Sequence, residues 1–382
     1  MPIAAEFFAG IGLVRLGLEA AGIAVAWAND VEPMKRSLYA ENFGGAHGHF
    51  VLDDVADVRG SDVPDVDLAT ASFPCIDLSL AGWRRGLAGA HSGTFWHFTR
   101  VLDEMAARRP PVVLLENVVA FATSHGGLDL QAAVADLNRL GYSVDALVLD
   151  ARRFVPQSRP RLFLVGRQNP PDDAVVDESP LRPAFLRAAL DAPGLRTHTA
   201  ALPAPPQLRT TGLGDAVEAL AEEDPRWWDD GRVAAFVGSL SPVQIRRFAA
   251  LRDRDVVSWR TAYRRTRGGR AVWEMRADDV AGCLRTARGG SSKQALVRLG
   301  FGKVRARWMT AREYARLMGV PDSYRFSSVS ANQALFGFGD AVCVPGVDWI
   351  ARHCLLPLLA SLGSPLVSAG SEPAVAGLPG RS

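Results

Sequence analysis

Apolar residues along the first 166 positions follow two alternating rhythms. "AAEFFAG", "IAVAWAND", "DVDLATASF", "PVVLLENV" and "YSVDALVLD" are short, nearly continuous apolar runs, the pattern of strands covered on both faces. Between them, "IGLVRLGLEAAG", "VEPMKRSLYAENFG", "GTFWHFTRVLDEMAARR" and "DLQAAVADLNRLG" repeat apolar positions at helical spacing, and Gly22 stands where the first of these helices would stop. Alternating strands and helices predict an α/β fold around a mainly parallel sheet.

The rhythm breaks near Gln168. "NPPDDAVVDESPLRP" and "ALPAPPQLR" are proline-rich and loop-like, and periodicity stays mixed and weak to about Lys303, with glycine pairs at Gly268-Gly269 and Gly289-Gly290. Regular pattern then returns. "TAREYARLMGVPD" carries a capping box, Thr310 with Glu313, and Gly319 and Pro321 mark the helix end. "VPGVDWIARHCLLPLLASL" reads as a last helix, and the polar, small-residue tail reads as disordered. The expected organisation is a first domain over 1–167, a second, smaller domain over 168–304, a return to the first over 305–362, and a disordered tail over 363–382. No internal repeat is visible.

Composition narrows the class. The 382 residues suffice for two or three domains, and 48% hydrophobic with 22% charged residues is ordinary for a soluble globular chain. The first residues lack the charged and apolar regions of a secretory signal. No apolar run approaches the ~18–20 residues of a membrane span. A cytoplasmic protein with no membrane association is therefore expected. Cys75, Cys283, Cys343 and Cys354 show no C-x-x-C spacing, so reduced thiols and no metal site are expected. The net charge of +2 hides an uneven spread: Arg246 to Arg307 holds 17 Lys+Arg against 5 Asp+Glu, while Arg167 to Ile245 holds 7 against 12. With Trp259, Tyr263, Trp273 and Trp308 interleaved or adjacent, the basic stretch suits a polyanion such as nucleic acid; a solvated arginine-rich surface is the alternative.

Four places carry candidate chemistry. Glu6 to Gly12 is a strand running through a two-glycine turn into a helix, where an α/β sheet binds a nucleotide-like cofactor, although it is neither G-x-G-x-x-G nor a P-loop. Asp30, at the end of the second strand, suits ribose hydroxyls or a helix cap. Together they favour an adenosine-containing cofactor without a pyrophosphate. In "DLATASFPCIDLSLAG", Cys75 follows Phe73-Pro74 at a strand end, where a lowered pKa would make it a nucleophile; an inert cysteine is the alternative. "PPVVLLENV" carries Glu116 straight out of an apolar strand, where burial raises a carboxyl pKa toward that of a proton donor. In "VPQSRPRLFLVG", Gln157, Arg159 and Arg161 alternate, and period two puts them on one face.

Taken in order, these pieces resemble the DNA cytosine C5-methyltransferases. The set is Phe8-Ala9-Gly10-Ile11-Gly12, Asn29-Asp30, Asp54-Val55, Phe73-Pro74-Cys75, Glu116-Asn117-Val118, Gln157-x-Arg159-x-Arg161, "RWMTAREYARLMGVPD" and Gly339-Asp340-Ala341-Val342. It covers residues 3–166 and about 305–360. The resemblance implies a Rossmann-like S-adenosylmethionine-dependent catalytic domain, with a target recognition domain over 168–304 that binds double-stranded DNA. Phe8, Gly10, Ile11 and Gly12 would line the methionine end, Asp30 would bind the ribose, Val31, Asp54 and Val55 would meet the adenine, and Pro74, Phe95 and Val342 would close the site. Cys75 would be the nucleophile, Glu116 its acid partner, and Arg159 and Arg161 the clamp on the base. The glycine-rich stretch "LAGWRRGLAGAHSG" would close over a flipped cytosine, with Arg84 and Arg85 on phosphates. Arg285, Arg288 and Lys293 flank Gly289-Gly290 and would contact DNA.

The sequence departs from the family pattern twice. Ile76 follows Cys75 where many members have glutamine. Asp340 stands where an asparagine usually follows the glycine, and a carboxylate there would repel the cofactor's own unless it points away or caps the helix. A monomer is expected, with or without a cognate restriction endonuclease. The same chemistry on tRNA, or a catalytically silent DNA reader, are the competing readings; the tRNA branch carries a Cys-Phe-Thr triplet that is absent here.

Overall fold

The computed structural model describes residues 1–44, 48–74, 93–170, 179–285 and 293–362. Its larger sheet contains β1 (Ile3–Phe7), β2 (Ala24–Asp30), β3 (Phe50–Leu52), β4 (Leu68–Ala71), β5 (Val112–Val118), β6 (Tyr142–Asp150) and β7 (Pro160–Gln168), in the spatial order β3-β2-β1-β4-β5-β7-β6. Strands β1 to β5 pair in parallel, whereas β7 runs antiparallel to both β5 and β6. A parallel return needs a crossover of about a dozen residues or more, and the connection 151–159 is too short for one. The expected strands and helices of this region form; β3, at three residues, is too short to leave a readable pattern.

Alternate residues of each strand feed two cores. Ala5, Phe7, Ala69, Val113 and Leu115 meet Phe98 and Leu102 of α3 (Thr94–Glu104) and Leu130 and Val134 of α4 (Leu128–Arg139). Ala4, Leu68, Val112 and Leu114 meet α1 (Leu13–Ala20) and the C-terminal helices on the other face. This double burial is why the strands read as continuous apolar runs. On the sheet's carboxyl edge, α2 (Pro33–Asn42) follows β2.

After β7, the short helices α5 (Ala184–Leu190) and α6 (Leu213–Ala216) precede α7 (Asp230–Gly238) and α8 (Pro242–Arg252). A second, four-stranded antiparallel sheet follows, built from β8 (Ser258–Arg267), β9 (Arg270–Met275), β10 (Gln294–Gly300) and β11 (Lys303–Trp308) in the order β11-β10-β8-β9. Gly268 and Gly269 close the β8–β9 hairpin at φ 54 and 77, the left-handed backbone that a two-residue turn requires. One face packs Ala262, Met275, Val297, Leu299 and Ala306 against Phe236, Phe248 and Leu251 of α7 and α8. The outer ends of β8 and β9 are exposed and arginine-rich, so their periodicity is weak in the sequence.

The chain returns to the first sheet through a buried ion pair. Arg307 of β11 and Glu313 of α9 (Ala311–Leu317) are fully buried, with Arg307 Nη1 at 2.8 Å from Glu313 Oε2. The helices α10 (Ala331–Asp340), α11 (Val344–Ile350) and α12 (Leu356–Leu362) complete the fold, with a π-helical turn at Ala351–Leu355. Within Ala331–Leu362 an 18-residue window reaches a mean hydropathy of 1.3, enough by length and composition to cross a membrane, which the sequence's lack of a continuous apolar run did not suggest. Burial explains it: 72% of that window lies inside the protein, and Ala341 is extended, at φ −75 and ψ 171.

Candidate active site

The carboxyl edge of β1 and β2 forms a tight cradle. After β1 the backbone enters the left-handed region at Phe8 (φ 56), Gly10 (φ 59) and Gly12 (φ 80). The Gly10 N–H donates to Asp30 Oδ2 at 2.9 Å, the Glu32 N–H donates to Asp30 Oδ1 at 2.9 Å, and the Ala9 N–H donates to the Asn29 carbonyl at 2.8 Å. Asp30 thus fixes the turn while its carboxylate keeps acceptor capacity for hydroxyls. The two glycines differ in purpose. A Cβ on Gly10 would find only the Phe8 carbonyl, at 3.9 Å, so that side is open for a ligand. A Cβ on Gly12 would stand 2.2 Å from the Phe43 ring, so Gly12 serves helix packing.

The other expected cofactor residues divide by burial. Val31 is 57% exposed beside Asp30, as an apolar platform for a flat ring would be. Asp54 is exposed and accepts from the Ala56 N–H at 2.9 Å. Ile11, Val55, Phe95 and Val342 are packed in the cores, and the Ile11 carbonyl accepts from the Tyr324 hydroxyl at 2.6 Å. A carboxylate acceptor, an exposed apolar side chain and open backbone at Gly10 fit an adenosine-bearing cofactor with an amino-acid end. The sequence reading passed over Lys35, whose Nζ lies 3.7 Å from Asp30 Oδ2 and 3.9 Å from Asp340 Oδ2.

The second half of the site sits at the end of β5. Glu116 pairs with Arg161, whose Nε lies 2.9 Å from Oε1. Burial pushes the Glu116 carboxyl above its usual range, and Arg161, Arg159 and Ser72 only partly offset this. Next in the chain, Asn117 Nδ2 donates to the Phe73 carbonyl at 3.2 Å. Phe73 in turn lies against Phe95 and Phe121, with ring centroids 5.5 and 5.7 Å away. Phe73-Pro74 is therefore held alongside Glu116 by one amide and two rings. Cys75, Arg84, Arg85 and Arg288 lie outside the described residues.

The three polar residues of Gln157-x-Arg159-x-Arg161 do different work. Gln157 Nε2 donates to the Leu317 carbonyl at 2.7 Å, and Gln157 Oε1 accepts from the Leu284 N–H at 3.2 Å. Arg159, 1% exposed, donates to the carbonyls of Leu284 (2.8 Å), Gly339 (3.0 Å) and Ala341 (2.6 Å). It braces the entry to the second sheet and the α10–α11 junction against β7. Arg161 is the member that reaches Glu116. Cys283 joins this cluster, with its Sγ 3.4 Å from Arg159 Nη1, and the two guanidiniums hold its thiol pKa below the usual value despite burial. Cys343 and Cys354 are pushed up by burial. Of the expected DNA contacts, Arg285 is exposed, and Lys293 Nζ donates to Asn332 Oδ1 at 2.6 Å.

Among the described residues no group of three or more His, Cys, Asp or Glu could hold a metal ion. A cavity of about 290 Å³ opens in the second sheet's core between Trp228, Trp273, Trp308, Arg232 and Arg264, and it touches none of the residues above.

A seven-stranded sheet with a reversed β7, a tight turn at β1–β2 and a buried carboxylate–arginine pair at β5–β7 fit a methyltransferase-type α/β enzyme. The family described as C-5 cytosine-specific DNA methylase matches residues 4–355. The Type II methyltransferase M.NlaX of Neisseria lactamica is 29% identical over 357 residues, covering 91% of this chain and 94% of that protein. The Type II methyltransferase M.HhaI of Haemophilus parahaemolyticus is 32% identical over 165 residues, 43% of this chain and 48% of that protein. Among solved structures, the S. pombe Dnmt2 methyltransferase superposes with a TM-score of 0.59 at 18% identity, covering 95% of this chain and 99% of that one. The Entamoeba histolytica methyltransferase EhMeth gives 0.58 at 13%, with 95% and 99% covered. The chain belongs to the C-5 cytosine-specific DNA methylases: it is an S-adenosylmethionine-dependent enzyme that methylates cytosine at C5 in DNA.

Proposed function

We propose that the enzyme acts on a flipped cytosine in a specific double-stranded DNA sequence through a covalent bond to Cys75. The observation that supports this most is the Glu116–Arg161 pair at 2.9 Å, with Glu116 held above the ordinary carboxylate range, beside the anchored Phe73-Pro74.

Cytosine C5 is a weak nucleophile in an aromatic ring. Addition of the Cys75 thiolate to C6 breaks the aromatic sextet and pushes electron density onto C5. Glu116, whose carboxyl burial pushes upward, donates toward N3 and stabilises the adduct, while Arg161 keeps the Glu116 carboxyl oriented. The Phe8–Gly12 turn, Asp30 and Val31 would hold S-adenosylmethionine, which when bound would supply an electrophilic methyl group to C5. Loss of the C5 proton to a base then expels the thiolate and restores the aromatic ring. Splitting one hard substitution into addition and elimination lowers each barrier. Extrusion of the base from the duplex costs a few kcal/mol.

In this reading residues 168–304 form the target recognition domain. Arg285 and Arg288 contact DNA, Lys293 supports the segment from its bond to Asn332, and Arg84 and Arg85 follow the phosphates. The enzyme works as a cytoplasmic monomer, and a cognate restriction endonuclease would recognise the same site. A duplex carrying 5-fluorocytosine at the target, identified by bisulfite sequencing of DNA from an expressing host, tests the mechanism. A stable adduct that forms only with S-adenosylmethionine and maps to Cys75 is expected. A link at Cys283, Cys343 or Cys354 would overturn the assignment.

A further inference from the structure

The aspartate at 340 poses an electrostatic problem. It closes α10 next to the Gly339 and Ala341 carbonyls that Arg159 holds, so its segment is fixed against the start of β7, and its carboxylate lies within reach of Lys35. A carboxylate there would repel the carboxylate of an amino-acid ligand, and the neighbouring Asp30 carboxylate adds to the negative field.

Lys35 answers both. It lies in the first turn of α2, and its side chain is 20% exposed. Its Nζ sits between the two acids at 3.7 and 3.9 Å, beyond the ~2.7–2.9 Å of a charge-assisted hydrogen bond. An ammonium carries three N–H donors, and among the described residues none of them makes a hydrogen bond to a protein acceptor. A cation suspended between two carboxylates, with its donors uncommitted, is poised for a third anion. A lysine ammonium suits this better than a planar guanidinium, because it is a compact point charge.

We propose that Lys35 is a cofactor-binding residue: it takes the α-carboxylate of the cofactor's amino-acid end and offsets Asp340, which in turn favours the α-ammonium. The Lys35–Asp340 pair thus matches a zwitterion with a charge of each sign. The assignment rests on the cofactor reading given above.

Calorimetric titration of the full-length protein with S-adenosylhomocysteine, which has the amino-acid end, and methylthioadenosine, which lacks it, tests this without turnover. Lys35→Ala should weaken S-adenosylhomocysteine at least about tenfold, equivalent to about 1.4 kcal/mol, and leave methylthioadenosine unchanged. Lys35→Ala combined with Asp340→Asn should recover part of the loss, because one carboxylate near the cofactor's own is then gone. Lys35→Arg should keep part of the affinity, which separates lost charge from a misfolded helix, and an unchanged ligand-free melting temperature checks the same point. Equal loss of both ligands would place Lys35 in support of Asp30 instead and overturn the assignment. So would unchanged S-adenosylhomocysteine affinity in Lys35→Ala, or no recovery in the double variant. Failure of the wild-type protein to bind either ligand would overturn the cofactor reading, and this assignment with it.

Discussion

Two glutamates occupy similar places in the same sheet, Glu6 near the end of β1 and Glu116 near the end of β5; among the described residues only Glu116 is in an ion pair, while Arg15 offsets the burial of Glu6 in part without pairing with it. Both are buried, and burial pushes both carboxyls upward. Glu6 is pushed up to about 8, and both of its oxygens lack a hydrogen-bond partner among the described residues. Glu116 has Arg161 at 2.9 Å. Burial alone makes a neutral carboxylic acid that resists ionisation. Burial beside a guanidinium makes an acid whose proton is oriented and can be given up, because the charged form has a partner waiting. The first arrangement disfavours the ionised native state; the second is the one that the proposed proton donation to the base would use.

Substitutions should separate the two regions. Cys75→Ser should abolish methyl transfer while leaving S-adenosylhomocysteine affinity near that of the wild type, since a hydroxyl is a far weaker nucleophile than a thiolate. Transfer of labelled methyl groups to DNA, read with a parallel titration, checks both halves, and substantial residual turnover would sink the covalent route. Glu116→Gln should lower the single-turnover rate by about 10²- to 10⁴-fold, the usual range for a lost general acid. Glu6→Gln should change that rate by less than about threefold, reflecting the small effects expected away from the chemistry. If the two glutamine variants slow equally, Glu6 and Glu116 do not differ in role.

Arg285→Ala touches neither carboxylate. It should weaken duplex binding about tenfold, roughly 1.4 kcal/mol, with S-adenosylhomocysteine affinity unmoved. Fluorescence anisotropy on a labelled target duplex measures it, and unchanged affinity would move the DNA surface elsewhere in 168–304.

A last effect is on stability. Glu6 holds its proton in the folded state up to about pH 8, whereas an unfolded glutamate loses it near 4.5. Its contribution is therefore fully present below pH 4.5 and is lost as pH rises through 8, because the native state binds a proton that the unfolded state has released. Urea titrations at pH 6 and pH 8.5 should show wild-type stability falling more steeply than that of Glu6→Gln. Parallel slopes would mean that Glu6 ionises in the fold.

How far the sequence reached differs between regions for a reason visible in single residues. The capping box at Thr310 and Glu313 is present, with the Glu313 N–H donating to Thr310 Oγ1 at 3.2 Å, and Gly319 sits at φ 74 where the helix was expected to stop. These signals span a few residues. Yet the same Glu313 also forms the buried pair with Arg307 that joins the second sheet to α9. The capping pattern is equally satisfied without that pair. In the second sheet, β8 and β9 alternate only partly because their outer ends face solvent with arginines on both sides.

The sequence by itself determined the strand–helix order of the first sheet, the turn at Phe8–Gly12, the acid at Asp30 and the emergence of Glu116 from an apolar strand. Burial on both faces, left-handed turns and helix ends each impose a local composition, so they can be read locally. Only the tertiary structure decided which charges meet. Arg159 and the Ala341 carbonyl are 182 positions apart, and Lys35 reaches both Asp30 and Asp340. The reversed β7 likewise follows from where a short connection lets the chain go. Pairing across such separations depends on which surfaces the hydrophobic cores press together, and no periodicity along the chain encodes a distance through space.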